Sequence, residues 1–348
     1  MDSKINDSNL MCEQATELFN AGSYDAAAEL FLILTEDDLY APYAFYMLAN
    51  ISNRMGDPLI AKELYYKALT LSPSLYKNLL PPDHPNYDYV FRGIKQFPTT
   101  EACPICGKSG EPIWCYATAR YKQKHAQNYN PVLLWMYCDK CHHVYTNEFP
   151  EHEISDPGSN IQSVRTFPTE PTLFPYYSRI LSKLATYTSG TELLEVGLGG
   201  CECALVAREM GYNVFGIDIA ESCLSTAKKY GIEAESHDFI DFKTDRKWDV
   251  IIFGDVIEHV SDPVAALEKL NALLNDDGVL WLSTPNFDSA YSIYYDHFDP
   301  MRIEVTHKNY FSRTSLLIIL EQCRFKPVDY LVSDHYEGSM EVICVKMV

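Results

Sequence analysis

The sequence predicts an α/β protein, with a doubly wound, mostly parallel sheet in its second half. A small metal-held module and a short all-α block come first. Three observations support this. From about residue 170 onward, short β-branched runs alternate with helix-period segments, as βαβ units do. Two Cys-x-x-Cys pairs stand in the middle of the chain. Ahead of them, residues 8–80 are helical and repeat themselves.

The chain has 348 residues, enough for two or three cores, and 47% hydrophobic with 13% aromatic residues fits a globular protein. Against 48 acidic residues there are only 28 basic ones, a formal net charge of -20. Broad contact with nucleic acid or anionic membranes needs the opposite balance, so both are disfavoured. No apolar run is long enough to span a bilayer, and "MDSKINDSNLMCEQ" lacks the apolar block of an export signal. The eleven cysteines are not spaced like a secreted disulfide scaffold. The expected compartment is the reducing cytoplasm.

In the helical block, Gly22, Ala27, Phe31 and Leu34 recur as Gly56, Ala61, Tyr65 and Ala68, each pair 34 residues apart. Small residues where helices approach, with an aromatic one turn later, suit stacked helix-turn-helix units. "NAGSYDAAAELF" and "RMGDPLIAKELYYKALTLSP" resemble two tetratricopeptide repeats, and Pro73 closes the second as in that family. Two units are fewer than the roughly three that stand alone. The block is therefore expected to pack on the next domain or on a second chain, as a partner-docking or self-association surface. "SPSLYKNLLPPDHPNYDY", residues 72–89, reads as a connector.

The second zone, 98–150, carries Cys103-Pro-Ile-Cys106 and Cys138-Asp-Lys-Cys141, with 31 residues between them. Each turn offers two thiolates, and together they suit one tetrahedral, closed, structural zinc ion. The long separation implies an inserted loop carrying "ARYKQKHAQNYNP", whose "RYKQKH" is the one local basic run and reads as a solvated loop. His142 and His143 are expected bystanders and Cys115 a buried hydrophobe.

The third zone, 170–348, opens on "TELLEVG", a strand ending at Gly197, followed by a helix, "CECALVAREMG". Glu195 precedes Gly197, Gly199 and Gly200. A carboxylate there would repel the pyrophosphate of a dinucleotide and suits a cationic ligand. S-adenosylmethionine, with an ammonium and a sulfonium, is such a ligand. Next come a strand ending at Asp218, 23 residues after Glu195, and a helix ending at Gly231. An acid at that strand tip can accept hydrogen bonds from ribose hydroxyls. "IEAESHDF" offers Asp238 and Phe239 for the edge and face of adenine. A fourth strand, the loop 254–259, a helix, a glycine-bearing turn and a fifth strand follow. "SLLIILEQCRF" is a helix, and "KPVDYLVS" and "MEVICVKMV" are strands flanking the hairpin "DHYEGS". The count is seven strands, with the last antiparallel.

In this order, "LLEVG…GIDI…HDF…WDVIIFGDVIEHVSDP…DDGVLWLSTPN" resembles the class I S-adenosylmethionine-dependent methyltransferases. It resembles the branch that includes quinone-biosynthesis O-methyltransferases and many methyltransferases of surface polysaccharides and small metabolites, and the cysteine module ahead of it resembles the zinc module of some deoxysugar C-methyltransferases. The resemblance implies a Rossmann-like fold, a transferase activity and a cofactor site at Glu195, Gly197, Gly199, Asp218 and Ile219. Asp238 and Phe239 would serve adenine, and Asp255 would close over the methionine portion. Cys201 departs from the family, which often has a third glycine there.

An acceptor hydroxyl needs a base, and a histidine suits that task. His259 and Glu258 in "VIEHVSDP" lie on the acceptor side by resemblance. His307, in "HKNYFS", is a second candidate, and His297 a third. The serine of that stretch implies Ser312 or Thr314 as a helix cap. No acidic pair at a suggestive spacing points to a metal at these histidines. Tyr176, Tyr177 and Arg179 are either a lid or core.

The expected function is thus O-methylation of a sugar or other small hydroxylated metabolite, with N or C transfer also open. The alternatives are a protein methyltransferase recruiting its substrate through the repeats, and an inactive scaffold whose crevice Cys201 has closed.

Overall fold

The computed structural model describes residues 2–123, 129–148 and 166–347. Helices α1 (Asp2–Asn20), α2 (Tyr24–Leu34), α3 (Ala41–Arg54) and α4 (Pro58–Leu71) form two helical pairs, followed by the short α5 (Tyr76–Leu79). Gly22 and Gly56 turn the chain inside each pair with φ +78° and +89°, a backbone that other residues adopt at a cost. Ala27, Phe31, Ala61 and Tyr65 are all buried, so the 34-residue offset of the sequence is also an offset of packing.

This block packs on the module that follows. Strands β1 (Glu111–Ala117), β2 (Val132–Cys138) and β3 (His143–Thr146) form an antiparallel sheet. The side-chain oxygen of Asn53 on α3 accepts the backbone N–H of Cys115 at 2.7 Å, and Lys62 on α4 pairs with Glu148 at 2.7 Å. Arg120 is not solvated as expected. Its guanidinium hydrogen-bonds Tyr46 and lies near Tyr65 and Tyr76 of the helical block. Residues 124–128 of the same loop lie outside the described residues.

The second sheet has seven strands: β4 (Glu192–Val196), β5 (Asn213–Asp218), β6 (Glu233–Ser236), β7 (Trp248–Gly254), β8 (Leu274–Pro285), β10 (Phe325–Val332) and β11 (Ser339–Lys346). Their spatial order is β10-β11-β8-β7-β4-β5-β6, and β11 runs antiparallel to both neighbours. Alternate residues feed opposite layers. Leu193, Ile252, Trp281 and Ile343 face helices α6 (Phe174–Leu184) and α7 (Glu202–Glu209), with α8 (Glu221–Tyr230) at the edge of that layer. Leu194, Ile251, Phe253 and Leu282 face α9 (Pro263–Leu273) and α11 (Arg313–Gln322), with the short α10 (Ala290–Tyr295) between those two in sequence. The reversal of strand order between β4 and β7 opens a crevice at the carboxyl ends of the strands, where ligands of such sheets bind.

Two features differ from expectation. The glycine-bearing turn before the fifth strand is absent, because β8 begins at Leu274, directly after α9. Asn275 donates its side-chain N–H to Asp249 at 2.7 Å, and the register breaks between Trp248 and Val250. That contact keeps the segment extended although Asp276 and Asp277 are exposed. The other feature is β9 (Asn309–Tyr310). It lies between β8 and α11 in sequence but pairs with β3, as the fourth strand of the first sheet.

Candidate active site

The glycine turn at the end of β4 has three left-handed residues, Gly197 (φ +81°), Gly199 (φ +50°) and Cys201 (φ +66°). A methyl group on Gly197 would lie 2.8 Å from Val256, whereas one on Gly199 would meet nothing within 4 Å. The turn is thus tight against the β7 exit and open at its crest. Cys201 occupies a backbone conformation that favours glycine, which explains why a glycine is expected there. Its side chain is fully buried, with Sγ 3.8 Å from the Cys223 carbonyl, and so points away from the open crest.

Acids surround this turn. Glu195 is buried, and its Oε2 has no hydrogen-bond partner among the described residues. Burial, with the charges of Glu202 and Asp218 adding, holds its carboxyl well above the usual carboxylate range. Asp218 accepts the N–H of Leu198 through one oxygen and that of Ala220 through the other, both at 2.7 Å. Those bonds fix its carboxylate at the tip of β5 and leave lone pairs on both oxygens. Ile219 is half-buried beside it. Asp238 accepts the Ile240 N–H at 2.9 Å in a local turn. Phe239 is placed differently from expectation. Its ring packs in the core, 5.5 Å from Phe253, with Lys269 over it. Asp255, in left-handed backbone with φ +52°, donates its N–H to Ser283 and so sits toward β8. Burial pushes its carboxyl up to about 7; the nearby Ser283 hydroxyl opposes that shift and the Glu341 charge adds to it.

Glu258, His259 and His307 converge: one ligand atom of each lies within 4.8 Å of the others. His259 and His307 meet edge to face at 4.8 Å. The Nδ1 of His259 is 3.0 Å from the carbonyl of Thr306, an acceptor, so Nδ1 carries the proton and Nε2 is the basic nitrogen. Glu258 accepts the hydroxyl of Thr284 at 3.0 Å, and its carbonyl accepts the Lys308 N–H at 2.7 Å. Burial, with Asp255 adding, pushes its carboxyl well up. This grouping depends on the segment between β8 and α11 folding back over the β7 exit, so no local spacing announces it. The same three residues could hold a cation, although the sequence pointed to no metal there. His297 lies elsewhere, with Nδ1 3.0 Å from the Tyr116 hydroxyl on β1.

In the first sheet, the thiols of Cys103, Cys106, Cys138 and Cys141 lie within 4.8 Å of one another, Cys106 and Cys138 at 3.6 Å. Burial pushes Cys103 up to about 12, so a cation is needed to hold the set deprotonated. Four sulfurs converging with no open position fit a structural zinc ion. His142 and His143 stay outside the group, bonded to Tyr137 and Asn309. Cys115 is fully buried.

Sequence reasoning missed Glu341. It is buried in β11 and accepts the Tyr176 hydroxyl at 2.9 Å. The available signal was a lone acid inside the apolar run "MEVICV". Arg179 is exposed and bonded to Asp334 in the β10–β11 hairpin through two hydrogen bonds of 2.5 and 2.6 Å.

A family model described as a methyltransferase domain matches residues 171–329. Among curated relatives, a ubiquinone biosynthesis O-methyltransferase of Actinobacillus pleuropneumoniae is 35% identical over 109 residues, covering 28% of this chain and 47% of the relative. The protein of the same name from Haemophilus ducreyi is 29% identical over 147 residues, 39% of this chain and 60% of its own length. The chain thus spans about half the length of the curated relatives it matches. Among solved structures, magnesium protoporphyrin IX methyltransferase of Synechocystis overlaps 50% of this chain and 83% of its own, at 16% identity and a TM-score of 0.43. No described helix is long and apolar enough to cross a membrane. Residues 171–329 are thus similar to a methyltransferase domain.

Proposed function

We propose that this protein transfers a methyl group from S-adenosylmethionine to the oxygen of a small hydroxylated acceptor. The observation that carries this reading is the buried, unpartnered Oε2 of Glu195 beside an open, positive-φ glycine turn. An uncompensated buried carboxylate is costly, and a cationic ligand relieves that cost. S-adenosylmethionine, when bound, supplies an electrophilic methyl on sulfur. Glu195 and the backbone at Gly197 and Gly199 would hold its amino-acid end, Asp218 and Ile219 its ribose, and Asp238 its adenine edge. Phe239, committed to the core, is not needed there. Asp255 leans toward β8 and is left for the acceptor side.

His259 would take the acceptor proton at Nε2, its ring oriented by the Thr306 carbonyl and braced by His307. Glu258 is a positioning residue: it accepts the Thr284 hydroxyl, and its carbonyl holds the Lys308 N–H beside His307. The helical pairs are read as two tetratricopeptide-like units docked on the zinc-held sheet, and that sheet as a brace at the mouth of the catalytic domain.

Calorimetry with S-adenosylhomocysteine tests the cofactor site. Micromolar binding is expected, weakened at least about tenfold in Asp218→Asn, since lost charged hydrogen bonds cost roughly 1.5–3 kcal/mol. No heat from folded, zinc-loaded protein would overturn the reading.

A further inference from the structure

A second set of acids begins beside the glycine turn, at Asp255 next to the Val256 that packs on Gly197, and runs away from it to the buried Glu341. Gly254, Ser283 and Glu341 form one row across β7, β8 and β11, and Asp255, the next residue after Gly254, donates its N–H to the Ser283 carbonyl at 3.0 Å and lies within the field of Glu341. Asp255 Oδ1 is out of solvent and has no hydrogen-bond partner among the described residues. The recorded side-chain bond of Glu341 is to a neutral tyrosine. Among the described residues, Asp255 and Glu341 have no lysine or arginine within bonding distance, and Glu258 bonds the Thr284 hydroxyl. Arg179, whose charge reaches Glu341, is committed to Asp334.

Aromatic rings flank the row. Tyr176 lies 5.0 Å from His335, and His335 is 3.9 Å from Tyr336. The Tyr336 hydroxyl, raised first by burial, is within the fields of Asp255, Glu170 and Glu258. The hairpin tip that carries these rings is tied to the β8 exit, where Asn286 N–H donates to the Gly338 carbonyl at 2.9 Å.

Uncompensated acids beside aromatic rings suit an ammonium group, through charge and cation–π attraction together. A phosphate or carboxylate would be repelled. The cofactor's own ammonium does not account for Glu341. Three strand spacings separate β11 from β4 and its Glu195, about 14 Å at the usual spacing.

We propose that the acceptor carries an ammonium group beside its reactive hydroxyl, as in an amino sugar or amino alcohol, and that Asp255 and Glu341 bind it with Tyr336 alongside. This names the substrate class of the reaction proposed above and rests on that reading.

Ethanolamine and ethylene glycol, alike except for the charged nitrogen, are the probes. Calorimetry on the full-length protein saturated with S-adenosylhomocysteine compares their affinities. Ethanolamine is expected to bind at least about tenfold more tightly. Glu341→Gln is expected to abolish that preference and Tyr336→Leu to reduce it, with S-adenosylhomocysteine affinity within about twofold of wild type. Asp255→Asn serves in the same way should Glu341→Gln fail to fold. Equal binding of the two probes to wild type overturns the proposal, as does a preference that survives either acid substitution. Competition between ethanolamine and S-adenosylhomocysteine also overturns it, because the acids would then belong to the cofactor. If S-adenosylhomocysteine itself does not bind, the transfer reading fails, and the same comparison on the unliganded protein still decides the pocket.

Discussion

At the scale of single residues, the glycine turn separates space from conformation. Gly199 needs positive φ but has open surroundings, so Gly199→Ala is expected to cost only about 1 kcal/mol of stability. Its new methyl would stand at the open crest, and S-adenosylhomocysteine binding should fall sharply; calorimetry beside a thermal melt checks both. Cys201 has the opposite problem. Its φ is +66° and its side chain is fully buried. Cys201→Val puts a β-branched residue in left-handed backbone, and a loss of roughly 2 kcal/mol or more is expected in urea titration. The sequence made Cys201 look like a flaw in the site. The structure turns its side chain into the core, which a one-dimensional pattern cannot convey. Phe239 misleads in the other direction: an aromatic after Asp238 suggests an adenine platform, but its ring fills the space beside Phe253.

At the scale of elements, the seven strands were legible because each apolar run alternates or ends at a glycine or an acid. The cap of α11 was legible too. Ser312 accepts the Ser315 N–H at 2.9 Å, Ser315 returns a bond to the Ser312 backbone, and the Ser312 hydroxyl donates to the His142 carbonyl at 2.6 Å. Ser312→Ala should cost about 1–2 kcal/mol, seen as an earlier unfolding midpoint. Two elements were not legible. The start of β8 depends on the side-chain contact between Asn275 and Asp249, distant in sequence. Strand β9 is only two residues long, too short for any period, and exists because β3 offers it an edge.

At the scale of the molecule, the buried acids of the crevice share one sign. Burial raises Glu195, Glu202, Asp218, Asp255 and Glu258 above their ordinary values. A raised folded pKa contributes stability that is complete below the unfolded value and is lost as pH climbs through the folded one. For Asp255 that window runs from 3.8 to about 7. Burial sets that shift, the Ser283 hydroxyl opposing it and the Glu341 charge adding to it; Glu258, Tyr176, Tyr177 and Tyr336 also face the group. The unliganded protein is therefore expected to melt at lower temperature as pH rises from about 6 to 8, with a shallower slope in Asp255→Asn. A flat wild-type profile would count against an uncompensated Asp255. The alternation of strands and helices could be read from spacing, but not that β11 inserts between β8 and β10 and brings Glu341 near Asp255, because strand order is invisible in the chain. Strand β9 has a wider consequence. Asn309–Tyr310 is bonded to the sheet that carries the four cysteines and begins two residues after His307. With zinc on the four cysteines and the transfer proposed above, chelation is expected to speed amide exchange at Asn309 and Tyr310 and abolish turnover while cofactor affinity holds. A newly made chain would then stay silent until its metal arrives, a checkpoint on maturation built from two residues.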